Sequence, residues 1–115
     1  MAKDDYHVIV YQILSYLYVC LKKDLSVHED NLSWQKSKYF DIPESYWKFI
    51  ITNMVEQNLI KGLTLTKVWG EEYPIISDLD KCRITPTGIE YLCDNSLMKK
   101  VKQFMKDVKE ITPFI

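Results

Sequence analysis

The most apolar part of the sequence, residues 6–21, has hydrophobic side chains at helical spacing on nearly every side. A helix that is apolar around most of its circumference is normally buried, so we predict that this segment forms the central helix of the core. Asp4 and Asp5 precede it, where acidic side chains favour the positive end of the helix dipole. Gln12 and Ser15 interrupt the apolar run, so we do not expect it to span a membrane.

Two more helices are predicted in the middle of the chain. Residues 25–27 alternate between apolar and polar, which favours a short strand, and residues 29–39 are interpreted as a short helix. Pro43 suits the first turn of the next helix. That helix is predicted to end near Asn58, because asparagine adopts the left-handed conformation found at helix ends. One apolar stripe runs along it and consists of Trp47, Ile50, Ile51 and Met54.

The following segment has the pattern of a β-hairpin. Apolar and threonine side chains alternate over part of residues 61–69, which predicts a strand. Residues 70–72 are suited to a turn, and residues 73–77 to a loop or an edge strand because they include a proline. Residues 81–85 are predicted to return as the second strand. Its inward-facing side chains are predicted to be Cys82 and Ile84.

The C-terminal part of the chain is predicted to be helical. Thr87 and Glu90 have the spacing of a capping box, and Ser96 is predicted to cap a C-terminal helical extension over about residues 96–111. The order of elements predicts an α+β fold, a winged helix-turn-helix with a three-helix core, a β-hairpin wing and additional C-terminal helices. The length of 115 residues fits a single domain over residues 1–115.

Two local patterns resemble winged-helix regulators. Residues 50–60 resemble the end of a recognition helix, where a polar turn and an asparagine lead into the Leu-Ile of the wing strand. Residues 83–92 resemble the Ile-Thr-Pro-x-Gly-x-x-x-Leu segment that ends the wing and opens the next helix. The chain from Asp4 onward, including residues 42–47, further resembles the YjcQ family of small bacterial and prophage proteins. That resemblance implies a winged-helix-like fold and a phage-related role, and it supplies no catalytic residues.

A DNA-binding transcriptional regulator is the first functional hypothesis, by analogy with the commonest use of this fold. A recognition helix enters the major groove of double-stranded DNA through its N-terminal residues, and here these include polar side chains that contact bases or phosphates. The candidate residues of this helix are Ser45, Lys48, Thr52 and Asn53. The candidate contacts to the DNA backbone are Lys36, Lys38, Lys67 and Arg83.

The charge of the chain argues against DNA binding. The net charge is −1 and Arg83 is the single arginine, whereas DNA-binding proteins usually carry a clear positive excess that neutralises phosphates. Residues 30–62 contain four lysines and four acidic residues, and residues 67–83 contain three bases and four acids. The wing is therefore expected to repel phosphate.

A protein-interaction adaptor or phage accessory factor is the alternative hypothesis. The candidate interface in the wing is an apolar patch that consists of Trp69, Tyr73, Ile75 and Ile76. The C-terminal helix carries further apolar residues at heptad spacing, namely Leu97, Val101, Phe104, Val108 and Ile111. This seam either pairs with a second copy, which would give a homodimer, or packs on the first helix of the same chain.

Neither catalysis nor a metal site is predicted. The sequence has no phosphate loop, Gly-x-Ser-x-Gly motif or dinucleotide-binding motif, and His7 and His28 lack partners at metal-ligand spacing. We therefore expect a non-enzymatic protein without cofactor or metal.

The cysteines are expected to be buried thiols in a reducing compartment, and they are Cys20, Cys82 and Cys93. Because no signal peptide is visible, we expect a cytoplasmic protein.

Overall fold

The computed structural model describes residues 1–108 of the chain. This part contains four α-helices, α1 (Tyr6–Lys22), α2 (Glu44–Glu56), α3 (Pro86–Asp94) and α4 (Ser96–Val108). Its strands are β1 (Ile60–Lys61), β2 (Thr64–Thr66), β3 (Ile75–Ser77) and β4 (Arg83–Ile84), and they form two small antiparallel sheets, β1–β4 and β2–β3. The predicted α+β class is therefore confirmed for the described residues.

Helix α1 is the central helix of the core, as the sequence predicted. Every side chain from Val8 to Leu17 is buried, including those of Gln12 and Ser15. The helix packs against α2, α3, α4 and strand β4. Burial on all sides follows from its apolar circumference, because an exposed face would leave hydrophobic area in water.

Residues 25–27 do not form the predicted strand. Side chains satisfy the backbone here: the Cys20 thiol donates to the carbonyl of Ser26 at 4.0 Å, and the N–H of His28 donates to the hydroxyl of Tyr16 at 2.9 Å. Because these backbone groups are bonded to side chains, the segment needs no partner strand.

The predicted helix over residues 29–39 is also wrong, since its helical part is the single 3-10 turn Glu29–Asn31. Serine binds the backbone groups that a helix would use. The hydroxyl of Ser37 donates to the carbonyl of Asn31 and accepts from the N–H of Tyr39, at 3.1 and 3.0 Å. Such local bonds compete with helical hydrogen bonds. The first helix of the predicted helix-turn-helix is therefore not formed.

Helix α2 retains the predicted apolar stripe. Its four buried residues are Trp47, Ile50, Ile51 and Met54. The indole N–H of Trp47 donates to the carbonyl of Leu32 at 2.7 Å, so the irregular segment before α2 supports the helix. Asn58 has a φ of 59° and closes the helix as predicted. The stripe fixes which side of α2 faces the core and which side faces outward.

The predicted hairpin is present, with a ladder in two parts. Strands β1 and β4 form its base, where Ile60 pairs with Ile84, and strands β2 and β3 form its outer part, where Leu65 pairs with Ile76. The first strand ends at the third residue of β2 rather than at residue 69, and the predicted edge strand is present as β3. Residues 67–74, which connect β2 to β3, are named the hairpin tip.

An insertion divides the two parts of the ladder. The 3-10 turn Leu79–Lys81 lies between β3 and β4, and it follows Asp78, whose φ is 59°. Gly62 lies opposite with a φ of 98°, and a Cβ at this position would overlap the backbone carbonyl oxygen of Lys81. Glycine is therefore required at this position both for its backbone conformation and for the close approach.

The caps of α3 and α4 lie before the residues that were predicted to cap them. The hydroxyl of Thr85, rather than that of Thr87, accepts from the N–H of Gly88 at 2.9 Å. At α4 the side-chain oxygen of Asn95, rather than that of Ser96, accepts from two backbone N–H groups at 2.9 and 3.2 Å. Both helices begin directly after these residues, which therefore hold the N-cap position.

The cysteines do not share one environment. Cys20 and Cys82 are buried thiols as predicted, whereas Cys93 is exposed on α3, so the prediction was wrong for Cys93. Burial raises the pKa of the Cys82 thiol to about 12, although the nearby charge of Arg83 acts in the opposite direction.

Helix α4 packs on its own chain through a seam that differs from the predicted heptad. Its buried residues are Met98, Val101 and Met105, and they face α1 and α3. Because Val101 is fully buried, it does not lie on a surface that a partner can contact, and this interface prediction was wrong. Leu97 and Val108 are exposed instead. Ile111 and the rest of the extension beyond Val108 lie outside the described residues.

Candidate functional site

A groove of about 580 Å³ lies between the outer side of α2 and the hairpin tip. It is named the hairpin groove. Helix α2 contributes Phe49, Thr52, Asn53 and Glu56, and the hairpin contributes Leu65, Lys67, Val68, Glu71, Glu72, Tyr73 and Pro74. The groove forms here because the apolar stripe of α2 faces the core, which leaves the opposite side of the helix next to the hairpin.

Large apolar side chains are exposed in and beside this groove. Phe49 and Val68 line it and are 41% and 37% exposed. Trp69 follows Val68 at the hairpin tip and is 100% exposed, so its indole makes no packing contribution to the fold. Ile75, at the start of β3, is 52% exposed. Ile75 lines a separate depression together with Ile76, so the apolar side chains of the groove itself are those of Phe49 and Val68, and Trp69 adjoins Val68. Exposed apolar patches commonly mark binding surfaces.

The charged residues of the groove are mostly acidic. Glu56, Glu71 and Glu72 line it together with one base, Lys67, so three acids and one base give a net charge of −2. Partial burial raises the pKa of the Tyr73 hydroxyl, and the carboxylate of Glu72 raises it further. The groove therefore combines exposed apolar side chains with a net negative charge.

The four candidate DNA-contacting residues of α2 have different environments. Ser45 is exposed. The ammonium of Lys48 is half-buried and lies 4.0 Å from the carboxylate of Glu44. The Thr52 hydroxyl is buried, with no hydrogen-bond partner among residues 1–108. The amide of Asn53 donates to the carbonyl of Phe49 at 2.7 Å. The polar groups of Thr52 and Asn53 are therefore buried or bonded within the helix, whereas Ser45 and Lys48 reach the surface.

The candidate backbone contacts are dispersed. Lys36 and Lys38 are exposed on the irregular segment rather than on a helix, and Lys38 lies over the ring of Tyr39 at 5.3 Å. Lys67 is exposed at the hairpin tip beside acidic residues. One guanidinium nitrogen of Arg83 donates to two backbone carbonyls at 2.9 and 2.7 Å. Lys36 lies near Lys48 of α2, because both line one depression, whereas Lys67 lines the hairpin groove together with Glu56 and Asn53 of the helix.

The structure places the candidate interface residues of the hairpin in two depressions, with Tyr73 in the hairpin groove and Ile75 and Ile76 in the other. Trp69 and Ile75 are exposed, and Tyr73 and Ile76 are half-buried on the same hairpin. On α4, Leu97 is 38% and Val108 39% exposed, and Phe104 is half-buried. The sequence therefore identified two apolar regions at the surface, apart from Val101.

Two exposed apolar residues of the groove, Phe49 and Val68, were missing from the predicted interface. Phe49 lies two residues after Trp47, so it falls on the side of α2 opposite to the buried stripe. Val68 adjoins Trp69 in a segment that carries Lys67 and two glutamates. In both cases the sequence signal for an exposed apolar residue was that the residue lies outside the pattern of buried positions. The sequence does not reveal that these two residues meet across a groove.

The described residues offer no metal-binding cluster of three or more histidine, cysteine, aspartate or glutamate side chains. The ring of His7 packs edge-on against the ring of Tyr6, with centroids 5.3 Å apart. Across residues 1–108, the helices are too short or too polar to cross a membrane.

The fold and the groove together define a small α+β protein with an apolar, mildly acidic groove beside a hairpin. Residues 11–111 match the protein family described as YjcQ protein, and the chain belongs to the YjcQ family. This membership confirms the resemblance found in the sequence. Comparisons with curated proteins and with solved structures find no match.

Proposed function

We propose that this YjcQ protein is a non-enzymatic protein-interaction module that binds its partner at the hairpin groove and Trp69. The observation that carries the proposal is the complete exposure of Trp69, which directly follows the groove-lining residue Val68. Tryptophan is among the residues that contribute most to binding energy at protein interfaces. Burying an exposed aromatic side chain of this size on a partner removes a large apolar area from water.

Charge supports a protein partner over DNA. Glu56, Glu71 and Glu72 lie around the groove, and carboxylates at this position repel phosphates. Lys48, the central base of the DNA hypothesis, has Glu44 as a neighbour at 4.0 Å. An apolar surface with acidic residues at its border matches the usual arrangement of a protein interface, which has an apolar centre and a polar rim.

The same proposal includes a winged-helix origin for the fold. It is supported by the order of α2, the long hairpin and α3, with α1 as the core helix. In this interpretation residues 29–39 replace a helix of the helix-turn-helix with an irregular segment. A module that has lost this helix has also lost the element that normally crosses the DNA backbone, which agrees with a role as an adaptor or phage accessory factor.

The test uses site-specific photo-cross-linking in the native host. A photoreactive phenylalanine analogue replaces Trp69 in one variant and Leu25, which is also exposed but distant in sequence from the hairpin, in a control. We expect a discrete adduct from position 69 and none from position 25. The cross-linked protein is then purified, and we expect Trp69→Ala to weaken its binding about 30-fold, since hot-spot tryptophans contribute about 2 kcal/mol or more. Equal binding by wild type and Trp69→Ala would overturn the proposal.

Binding to random duplex DNA across a salt series tests the rival hypothesis. We expect no binding at low salt. Affinity that falls steeply with added salt, together with its loss in Lys48→Glu, would instead establish DNA binding through α2. Trp69→Ala is the matched control in this assay, because it leaves every candidate DNA-contacting residue in place.

A further inference from the structure

Helix α4 carries a second exposed apolar strip. Leu97 and Val108 are exposed and Phe104 is half-buried. Phe104 follows Leu97 by seven residues and precedes Val108 by four, so the three lie along one edge of the helix. They are named the α4 strip. The buried residues of α4 attach the helix to α1 and α3 and leave this edge at the surface.

The α4 strip lies on a basic helix. Within Ser96–Val108, four lysines and one aspartate give a net charge of +3. Lys100 follows Leu97 by three residues and precedes Phe104 by four, so it lies on the same edge as the strip. The α4 strip is therefore apolar and positive, whereas the hairpin groove is apolar and negative.

We propose that the hairpin of one copy docks on the α4 strip of a second copy. This inference rests on the proposed function of the hairpin groove and names its partner as the protein itself. Trp69 would bury its ring between Leu97 and Phe104, and Glu71 and Glu72 would face Lys100. Opposite charges at the two surfaces favour this pairing over groove-to-groove or strip-to-strip pairing, in which like charges meet.

The two surfaces differ, so the association is head-to-tail. An open assembly still has one free hairpin at one end and one free α4 strip at the other. Head-to-tail contacts form rings when the rotation closes and open chains when it does not. One tryptophan, one groove and a short strip make a small interface, and small interfaces give weak, concentration-dependent association.

Sedimentation velocity on the full chain is the first measurement. We expect the weight-average mass of the wild type to rise above the monomer mass of 13.7 kDa as the concentration increases to about 1 mM. Trp69→Ala, which has no functional hairpin, and Leu97→Asp, which has no functional α4 strip, are each expected to stay monomeric. Both changes are at exposed side chains, so both variants should fold.

An equimolar mixture of these two variants is the decisive measurement. The intact hairpin of Leu97→Asp binds the intact α4 strip of Trp69→Ala, and neither copy can add a third. We therefore expect a 1:1 dimer of about 27 kDa, twice 13.7 kDa, and no larger species. A symmetric α4–α4 dimer, as the heptad spacing suggested, predicts no such complementation, so a mixture that stays monomeric overturns the inference.

Charge reversal provides a second, independent measurement. Glu71→Lys/Glu72→Lys and Lys100→Glu should each weaken self-association at least tenfold, and mixing the two variants should restore it, because the charges then complement each other between copies. A wild-type protein that remains at 13.7 kDa throughout would overturn the inference. That outcome would leave the proposed function intact, because cross-linking from position 69 to a different protein is measured separately.

Discussion

The base and the outer part of the hairpin have the same local structure and opposite environments. At the base, Ile60 pairs with Ile84 and both are buried. In the outer part, Thr66 pairs with Ile75, which is 52% exposed. The base is held by α1, which packs against β4, whereas the outer part extends beside α2. Strand pairing alone therefore does not decide burial. The apolar residues of the base stabilise the fold, and those of the tip remain available for binding.

The largest difference between the two parts is expected from one isoleucine in each. Ile84→Ala should lower the free energy of unfolding by about 2–5 kcal/mol, because it leaves a cavity in the core. Ile75→Ala should lower the free energy of unfolding by less than about 1 kcal/mol, because the Ile75 side chain is already half-exposed to solvent. Urea unfolding measures both. Similar losses in the two variants would show that the outer part of the hairpin contributes to the core after all.

Two glycines with positive φ, Gly62 near the base and Gly70 at the tip, allow a second comparison of the two parts of the hairpin. Gly62→Ala combines a φ of 98° with overlap against the carbonyl of Lys81, and we expect a loss of about 3 kcal/mol in unfolding free energy. Gly70 has a φ of 85° with open space around it, so Gly70→Ala should cost about 1 kcal/mol. The melting temperatures of the two variants rank these effects. A larger loss for Gly70→Ala would contradict the packing assigned to the base.

The pH dependence of stability reports burial at the base. Cys82 has a folded-state pKa of about 12 against an ordinary value of 9.0, so above pH 9 the unfolded thiol loses its proton while the folded thiol keeps it. Stability is therefore fully present below pH 9 and falls as the pH rises toward 12. At pH 10 the loss is on the order of 1 kcal/mol.

Cys82→Ala removes this loss while keeping the tyrosines that also titrate at high pH. We expect the stability advantage of the wild type over Cys82→Ala to shrink between pH 8 and pH 10, as measured by urea unfolding at both values. An advantage that is constant with pH would mean that the Cys82 thiol is open to solvent in the folded protein.

The smallest expected effect concerns the helix that follows the base. Thr85→Ala removes the cap of α3 and should cost about 1 kcal/mol of unfolding free energy. Thr87→Ala is the matched control, and it should change stability by less than about 0.5 kcal/mol because its side chain is exposed and does not cap the helix. The reverse ranking would restore the capping box that the sequence predicted.

Sequence patterns predicted the regular elements that carry long apolar repeats. The circumference of α1 and the stripe of α2 were identified because many residues agree on one period. Residues 29–39 were mistaken for a helix because their propensities permit one, and serine hydroxyls bonded to the backbone decided otherwise. On α4, the heptad pattern and the buried seam share Val101. That helix has more apolar residues than its contact with α1 and α3 can bury. The positions of α1 and α3 therefore decide which of them are buried.

The candidate site was predicted in its parts. Trp69 and its apolar neighbours were identified because large apolar residues stood in a turn-rich, acidic segment. Phe49 was not connected to them, since it lies some twenty positions earlier in the chain on a different element.

By itself, the sequence determined the class of fold, the identity of the core helix and the presence of an apolar hairpin. These features depend on the local periodicity of the sequence and on which of its side chains are hydrophobic. Tertiary structure determined that no helix forms at residues 29–39, which residues of α4 are buried, and that a groove lies between α2 and the hairpin tip. Each of these depends on contacts between segments far apart in the chain, and the energy of such contacts is not a property of either segment alone.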